Sequence, residues 1–185
     1  MTRLLLVIDI QQDYFPGGAH PLVGPDAVAA AAARLLSAFR SAGEPVIHVV
    51  HVWDAPDAAF FRPGTPGVEI HPLVAPEGDE SVVVKAAPNA FLGTDLGERL
   101  QAASPAELIV VGMMSSMCVD ATVRAASDRG YTVTVAHDAC AAPDLEFGGV
   151  VIPGSQVHGA FMAALADGYA TVLSADEVIA AGPTR

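Results

Sequence analysis

ELIVVGMMSSMCVDATVRAASDRGYTVTVAHDA, residues 107–139, decides the fold class. ELIVVG (107–112) is a short apolar run that reads as a strand. After a Met-Ser-Ser turn, Val119, Val123 and Ala126 recur at helical spacing, and Gly130 stops the helix. YTVTVAHDA (131–139) then reads as the next strand. Strand, helix and strand in that order predict parallel strands joined by a right-handed crossover.

The same alternation extends outward in both directions. LLLVID (4–9), PVIHVVHVW (45–53), SVVVK (81–85) and YATVL (169–173) supply the other strands. PDAVAAAAARLLSAFRSAG (25–43), GTDLGERLQAA (93–103), SQVHGAFMAALADG (155–168) and SADEVIAAG (174–182) supply helices, the first opened by Pro25 and stopped by Gly43. The prediction is a single α/β domain over 1–185. It is a three-layer, doubly wound (Rossmann-like) parallel sheet of about six strands with helices on both faces. Ligands in such sheets sit beyond the carboxyl ends of the strands. Asp9, Lys85 and the segment leading to Cys118 occupy those ends.

Composition narrows the function classes. Hydrophobic residues make up 52% and charged ones 16% of the 185 residues, which excludes disorder and fits a well-buried sheet or a homo-oligomer. The net charge is −12, and no basic run or stripe offers a surface to nucleic acid or an anionic membrane. No apolar run reaches the roughly 18 residues of a membrane span, and MTRLLLVIDI is too short and too soon charged for a signal peptide. Cys118 and Cys140 form no CxxC pair, so a reducing cytoplasm is the expected setting. The proline-rich stretch 54–80 is long for a compact domain and is expected to shape a pocket or to meet another subunit.

A thiol attacks a carbonyl as thiolate, and its ordinary pKa is near 8.5. A helix start and a nearby cation both favour that form. Cys118 has the first, and Lys85 could supply the second. Asp9 is placed to take the thiol proton and return it to a leaving amine. Spacing alone leaves the blander readings open: Cys118 as a buried small hydrophobe, Asp9 as a turn residue, Lys85 as an exposed strand end.

LLLVIDIQQDYF, EIHPLVAPEGDESVVVKAAPNAFLGTDL and GMMSSMCVDATVRAASDRGYTVTVAHDACA, in this order, resemble the isochorismatase-like cysteine hydrolase superfamily, which includes nicotinamidases and N-carbamoylsarcosine amidohydrolase. The resemblance covers nearly the whole chain. It implies that Asp9 is the acid/base, Lys85 the partner lysine and Cys118 the nucleophile. It also implies a cis peptide bond between Met113 and Met114, and an oxyanion hole from the N–H groups of Met114 and Cys118. The implied reaction is hydrolysis of a small amide-like C–N bond through a thioester, with no cofactor.

Two departures from the family pattern matter. Nicotinamidases hold a metal on an Asp-x-His pair at the end of the second strand, where this chain has His51 and Trp53. His48 and His51 are three apart on a strand and point to opposite faces, so no metal site is expected. Isochorismatases proper lack the cysteine, so Cys118 favours acyl transfer over vinyl-ether hydrolysis. Vinyl-ether hydrolysis and a non-catalytic binding or assembly role remain the alternatives. The expected partner is a small-molecule substrate. Arg62 and Arg124 are the obvious cations for an anionic one. Phe15, Trp53, Phe91 and Met114 are the candidate pocket residues. Tyr14, Phe60 and Phe61 also fall in loops, with Phe60 and Phe61 equally readable as a subunit interface. Cys140, His48 and His158 read as structural.

Overall fold

Alternating strands and helices form one parallel sheet in a computed structural model that describes residues 2–182. The strands are β1 (Arg3–Ile8), β2 (Val46–His51), β3 (Ser81–Lys85), β4 (Glu107–Met113) and β5 (Val133–Ala141). Two short strands, β6 (Leu145–Phe147) and β7 (Val150–Ile152), precede the last, β8 (Thr171–Leu173). The helices are α1 (Pro25–Ala42), α2 (Leu96–Ala103), α3 (Asp120–Asp128), α4 (Gly154–Gly168) and α5 (Ala175–Ala181). Six strands lie in the order β3-β2-β1-β4-β5-β8, and every neighbouring pair is parallel. The chain winds outward from β1 through β2 to β3, then returns to β4 on the other flank. The strand order therefore reverses between β1 and β4, and a crevice opens beyond their carboxyl ends.

Period-two alternation builds the three layers. Leu5 and Val7 of β1 face one side and join Leu35, Leu36 and Phe39 of α1 and Val178 of α5. Leu4, Leu6 and Ile8 face the other and join Leu96 and Leu100 of α2, Val123 of α3 and Leu165 of α4. Phe39, Leu35 and Leu36 are fully buried, and each such side chain contributes about 1.5–3 kcal/mol. Gly43 ends α1 in the left-handed conformation, its N–H capping the Arg40 and Phe39 carbonyls.

Gly112 decides how β4 meets β1. Its φ is 136°, and a Cβ there would overlap the Ile8 carbonyl oxygen. Only glycine lets the two strand ends approach this closely beside Asp9. The β4–β5 register also shifts between Val110 and Gly112. The end of β4 is thereby turned toward the crevice.

Three features differ from the sequence-based expectation. β5 spans Val133–Ala141 rather than 131–139, and an antiparallel hairpin of β6 and β7 stands before α4. Gly148 and Gly149, at φ 61° and 77°, make its two-residue turn. The helix carrying Cys118 also begins with a π-helical turn, Ser115–Val119, in which the Val119 N–H reaches back to the Met114 carbonyl. Such turns inside helices recur at functional sites.

Candidate active site

Four strand ends converge on one buried point. Asp9 follows β1 directly with φ 50°, a left-handed conformation that aspartate tolerates better than most residues. Its N–H donates to the Val49 carbonyl, and its own carbonyl accepts from Gln11. Lys85 closes β3, and the parallel register sets it beside His51 at the end of β2. Beyond β4 the Met113–Met114 peptide bond is cis, and the π-helical turn carries Cys118 inward. Asp9, Lys85 and Cys118 are 0%, 2% and 1% exposed, so the group works nearly free of solvent.

The Lys85 ammonium is the hub. Its Nζ lies 2.7 Å from Asp9 Oδ2, 3.3 Å from Cys118 Sγ and 3.1 Å from His51 Nδ1. The Asp9 carboxylate meets the ammonium through Oδ2 alone at this distance, and its remaining lone pairs stay open to a proton. Burial pushes its carboxyl above the ordinary value against the pull of Lys85. That direction suits a group that must first accept a proton and then release it.

Cys118 departs from the expectation of a thiol poised as thiolate. Burial, together with the Asp9 charge, raises its pKa, and Lys85 offsets only part of this. That direction favours the neutral thiol beside the Asp9–Lys85 pair.

Asp9, His51 and Cys118 offer ligand atoms within 4.8 Å of one another. The ammonium of Lys85 is in contact with all three of these residues, and Trp53 carries no metal-ligating atom. These residues do not fit a resident metal ion while Lys85 is charged.

His51 is a site residue that the sequence reading passed over except as a misfit for metal. The signal was available in the strand register, since parallel pairing sets the ends of β2 and β3 side by side. Gln11 and Asp13 were also passed over. Gln11 Nε2 donates to the His51 and Val68 carbonyls at 3.0 and 2.7 Å, and its Oε1 accepts from the His51 N–H at 2.8 Å. Buried Asp13 accepts from the Ala19 and Phe61 N–H groups, and Gly67 packs so closely on its carboxylate that no Cβ would fit. These two side chains pin the 54–80 loop against the end of β1.

The aromatic candidates divide. Trp53 and Phe60 pack edge to face at 5.4 Å, and Phe61 is fully buried against Tyr14 with its ring centroid 5.9 Å from that of His51. Full burial within one chain leaves Phe61 unavailable as an interface residue. Phe15 stacks on His71 at 4.0 Å, and Met114 is buried beside the cis bond. Phe91 lies under the Arg129 guanidinium, which bonds the Ala125 carbonyl of α3, and near Tyr131. Arg124 pairs with Asp120 and covers Tyr169 on the helix surface, whereas Arg62 borders a cleft of about 610 Å³ with Asp13, Phe60 and Glu69.

The residues read as structural have partners. His48 bonds Glu80, which Arg40 also holds, and Glu80 is drawn down to about 2 chiefly by Arg40. His158 Nδ1 lies 2.8 Å from Ser115 Oγ and ties α4 to the turn that carries Cys118. Cys140 is buried and free, its thiol pushed up to about 12 by burial.

The isochorismatase domain family matches residues 3–177. The chain belongs to the isochorismatase family. It is 52% identical to the uncharacterized isochorismatase family protein YddQ of Bacillus subtilis over 93% of this chain and 96% of that one. It is 32% identical to maleamate amidohydrolase of Pseudomonas putida, covering 72% of this chain and 70% of the relative. A crystal structure described as an isochorismatase hydrolase from Oleispira antarctica superposes with a TM-score of 0.93 at 51% identity, over 97% of this chain and 96% of the other. The family is one of hydrolases that includes amidohydrolases. Among the described residues no helix is long and apolar enough to cross a membrane.

Proposed function

We propose that this family member hydrolyses a small amide-like C–N bond with Cys118 as nucleophile, Asp9 as acid/base and Lys85 as the fixed cation between them. The observation that carries this reading is the single ammonium in simultaneous contact with the Asp9 carboxylate and the Cys118 sulfur in a buried site. Asp9 takes the thiol proton as Cys118 Sγ bonds to the substrate carbonyl carbon. The Met114 and Cys118 N–H groups face the oxygen that gains charge, and each such donor lowers the barrier by about 2.7–4 kcal/mol. Protonated Asp9 gives its proton to the leaving nitrogen as the C–N bond breaks, and an amine departs. Water then gives a proton to Asp9 and its hydroxide to the thioester carbonyl. The acid leaves, and the proton returns to the thiol.

Phe15, Trp53 and Met114 are proposed to bound the acyl group; Phe91 is left as packing. The test is a panel of small primary amides and ureido compounds followed by intact-protein and peptide mass. The expected result is an acyl mass on Cys118 for any compound that releases amine or ammonia. Turnover with the adduct on another residue, or cleavage of a vinyl ether with no adduct, would sink the thioester reading. Both cysteines are free thiols, which suits a cytoplasmic setting.

A homo-oligomer forms part of the same reading. Phe147 is 82% exposed at the tip of the β6–β7 hairpin, and Val150 and Val151 beside it are largely exposed. Clustered apolar side chains of this kind mark association surfaces. Phe147→Asp is expected to lower the mass measured by light scattering to that of a monomer with the thermal midpoint of the subunit little changed. A wild type already monomeric at micromolar concentration would rule this out.

A further inference from the structure

His51 has no role in the reaction above, yet it touches the group on which the reaction turns. Lys85 Nζ has three N–H donors and no acceptor. Asp9 Oδ2 and Cys118 Sγ face two of them, and the third partner is His51 Nδ1 at 3.1 Å. Because an ammonium cannot accept, Nδ1 must present its lone pair, which places the imidazole proton on Nε2. His51 is itself held, with Gln11 bonded to both its N–H and its carbonyl.

We infer that His51 is a positioning residue: its Nδ1 lone pair accepts the third N–H of Lys85 and fixes the ammonium between Asp9 and Cys118 throughout the transfer of the thiol proton. This rests on the thiol-hydrolase reading and extends it. Before that transfer the ammonium faces a carboxylate and a thiol; afterwards it faces a carboxylic acid and a thiolate. A neutral third acceptor holds Nζ in one place for both states, whereas a carboxylate at position 51 would draw the cation away from sulfur. The groups facing His51 are Asp9 from β1, Lys85 from β3, Cys118 from the π-helical turn and the Phe61 ring from the loop. Burial, then the Lys85 charge, depress the imidazole to about 4. His51 therefore stays a lone-pair acceptor at neutral pH and does not compete with Asp9 as a base. Its 4.0 Å separation from Cys118 Sγ, against 3.3 Å for Lys85, agrees with action through the lysine.

The test needs no substrate. Iodoacetamide alkylation of Cys118 is followed by peptide mass from about pH 6 to about pH 10 in wild type, His51→Leu, His51→Asn and Lys85→Met. Each protein is checked for a cooperative thermal transition. His51→Leu removes the acceptor, and an accepted hydrogen bond favours the charged ammonium that stabilises the thiolate. Its labelling is expected to fall about tenfold and its pH profile to move upward, whereas His51→Asn, which puts a carbonyl oxygen near the Nδ1 position, recovers most of the loss. His51→Leu with the wild-type profile, while Lys85→Met is slowed, would overturn the role of His51 and leave the nucleophile reading standing. Both variants unchanged would overturn both. A second measurement covers a Leu variant that fails to fold: the nitrogen-15 NMR shifts of His51 in the wild type, assigned by comparison with His51→Asn. The expected state is protonated Nε2 and bare Nδ1 at neutral pH. A protonated Nδ1 would overturn the proposal outright.

Discussion

Cys118→Ser is expected to keep the fold and to lose hydrolysis by at least about a thousandfold. A serine hydroxyl fits the volume of the thiol and still accepts from Lys85, so the ammonium keeps its three partners. As a nucleophile it fails, because a hydroxyl is far less acidic than a thiol and Asp9 is too weak a base to ionise it. Asp9→Asn acts on the same proton and is expected to cost about 10²–10⁴ in kcat, the usual span for a positioned acid/base. The two losses should not multiply in the double variant, since both remove one step. The measurement is single-turnover release of amine from whichever panel compound wild type cleaves. Cys118→Ser turning over within tenfold of wild type would end the nucleophile reading.

How far the sequence reaches is clearest at the four strand ends. Asp9, Lys85 and the approach to Cys118 were legible because apolar runs end at those residues and parallel sheets bring such ends together. His51 sits at an equally legible position. It was missed because position 51 was weighed only as a metal ligand, and a missing aspartate there says nothing about contact with Lys85. The β6–β7 hairpin was missed although LEFGGVVI places a Gly-Gly pair between two short apolar runs, because residues 140–154, between the expected strand and the helix at 155, were given no element. Phe91 follows Lys85 closely in sequence, and the guanidinium of Arg129, at the end of α3, covers its ring. The state of the thiol was not legible at all. A helix start and a lysine both favour thiolate, and only the depth of burial beside Asp9 shows that their sum falls short.

Lys85→Met is the substitution expected to cost the most stability. It leaves the Asp9 carboxyl fully buried with no counter-charge, and removing one partner of a buried pair typically costs about 3–5 kcal/mol. The sign of its pH dependence follows from proton counting. Asp9 in the folded protein already has its pKa raised by burial, and losing Lys85 raises it further. Between the unfolded value near 3.9 and that raised value the folded state binds more protons, so stability falls as pH rises through the window and stays low above it. Below about pH 4 Asp9 is protonated in both states and the penalty vanishes. His51 works in the same direction, because losing the Lys85 charge removes one of the two causes that hold its pKa down. A proton taken up there in the variant would compensate the buried carboxylate. The stability gap between wild type and Lys85→Met should therefore be widest at neutral pH and close as the solution is acidified toward pH 4. Comparing the two proteins cancels the acid loss they share from His48 and Glu80, whose pKa values are lowered in both. Adding Asp9→Asn to the variant removes the unpaired charge and should recover much of the loss at neutral pH, a coupling that adjacent sites show and distant ones do not. Urea unfolding of the four proteins at two pH values measures all of this. A gap below about 1 kcal/mol at neutral pH, the level of an exposed pair, or one that does not narrow in acid, would mean that Asp9 is not a buried carboxylate held by Lys85, and the acid/base role assigned to it would lose its physical basis.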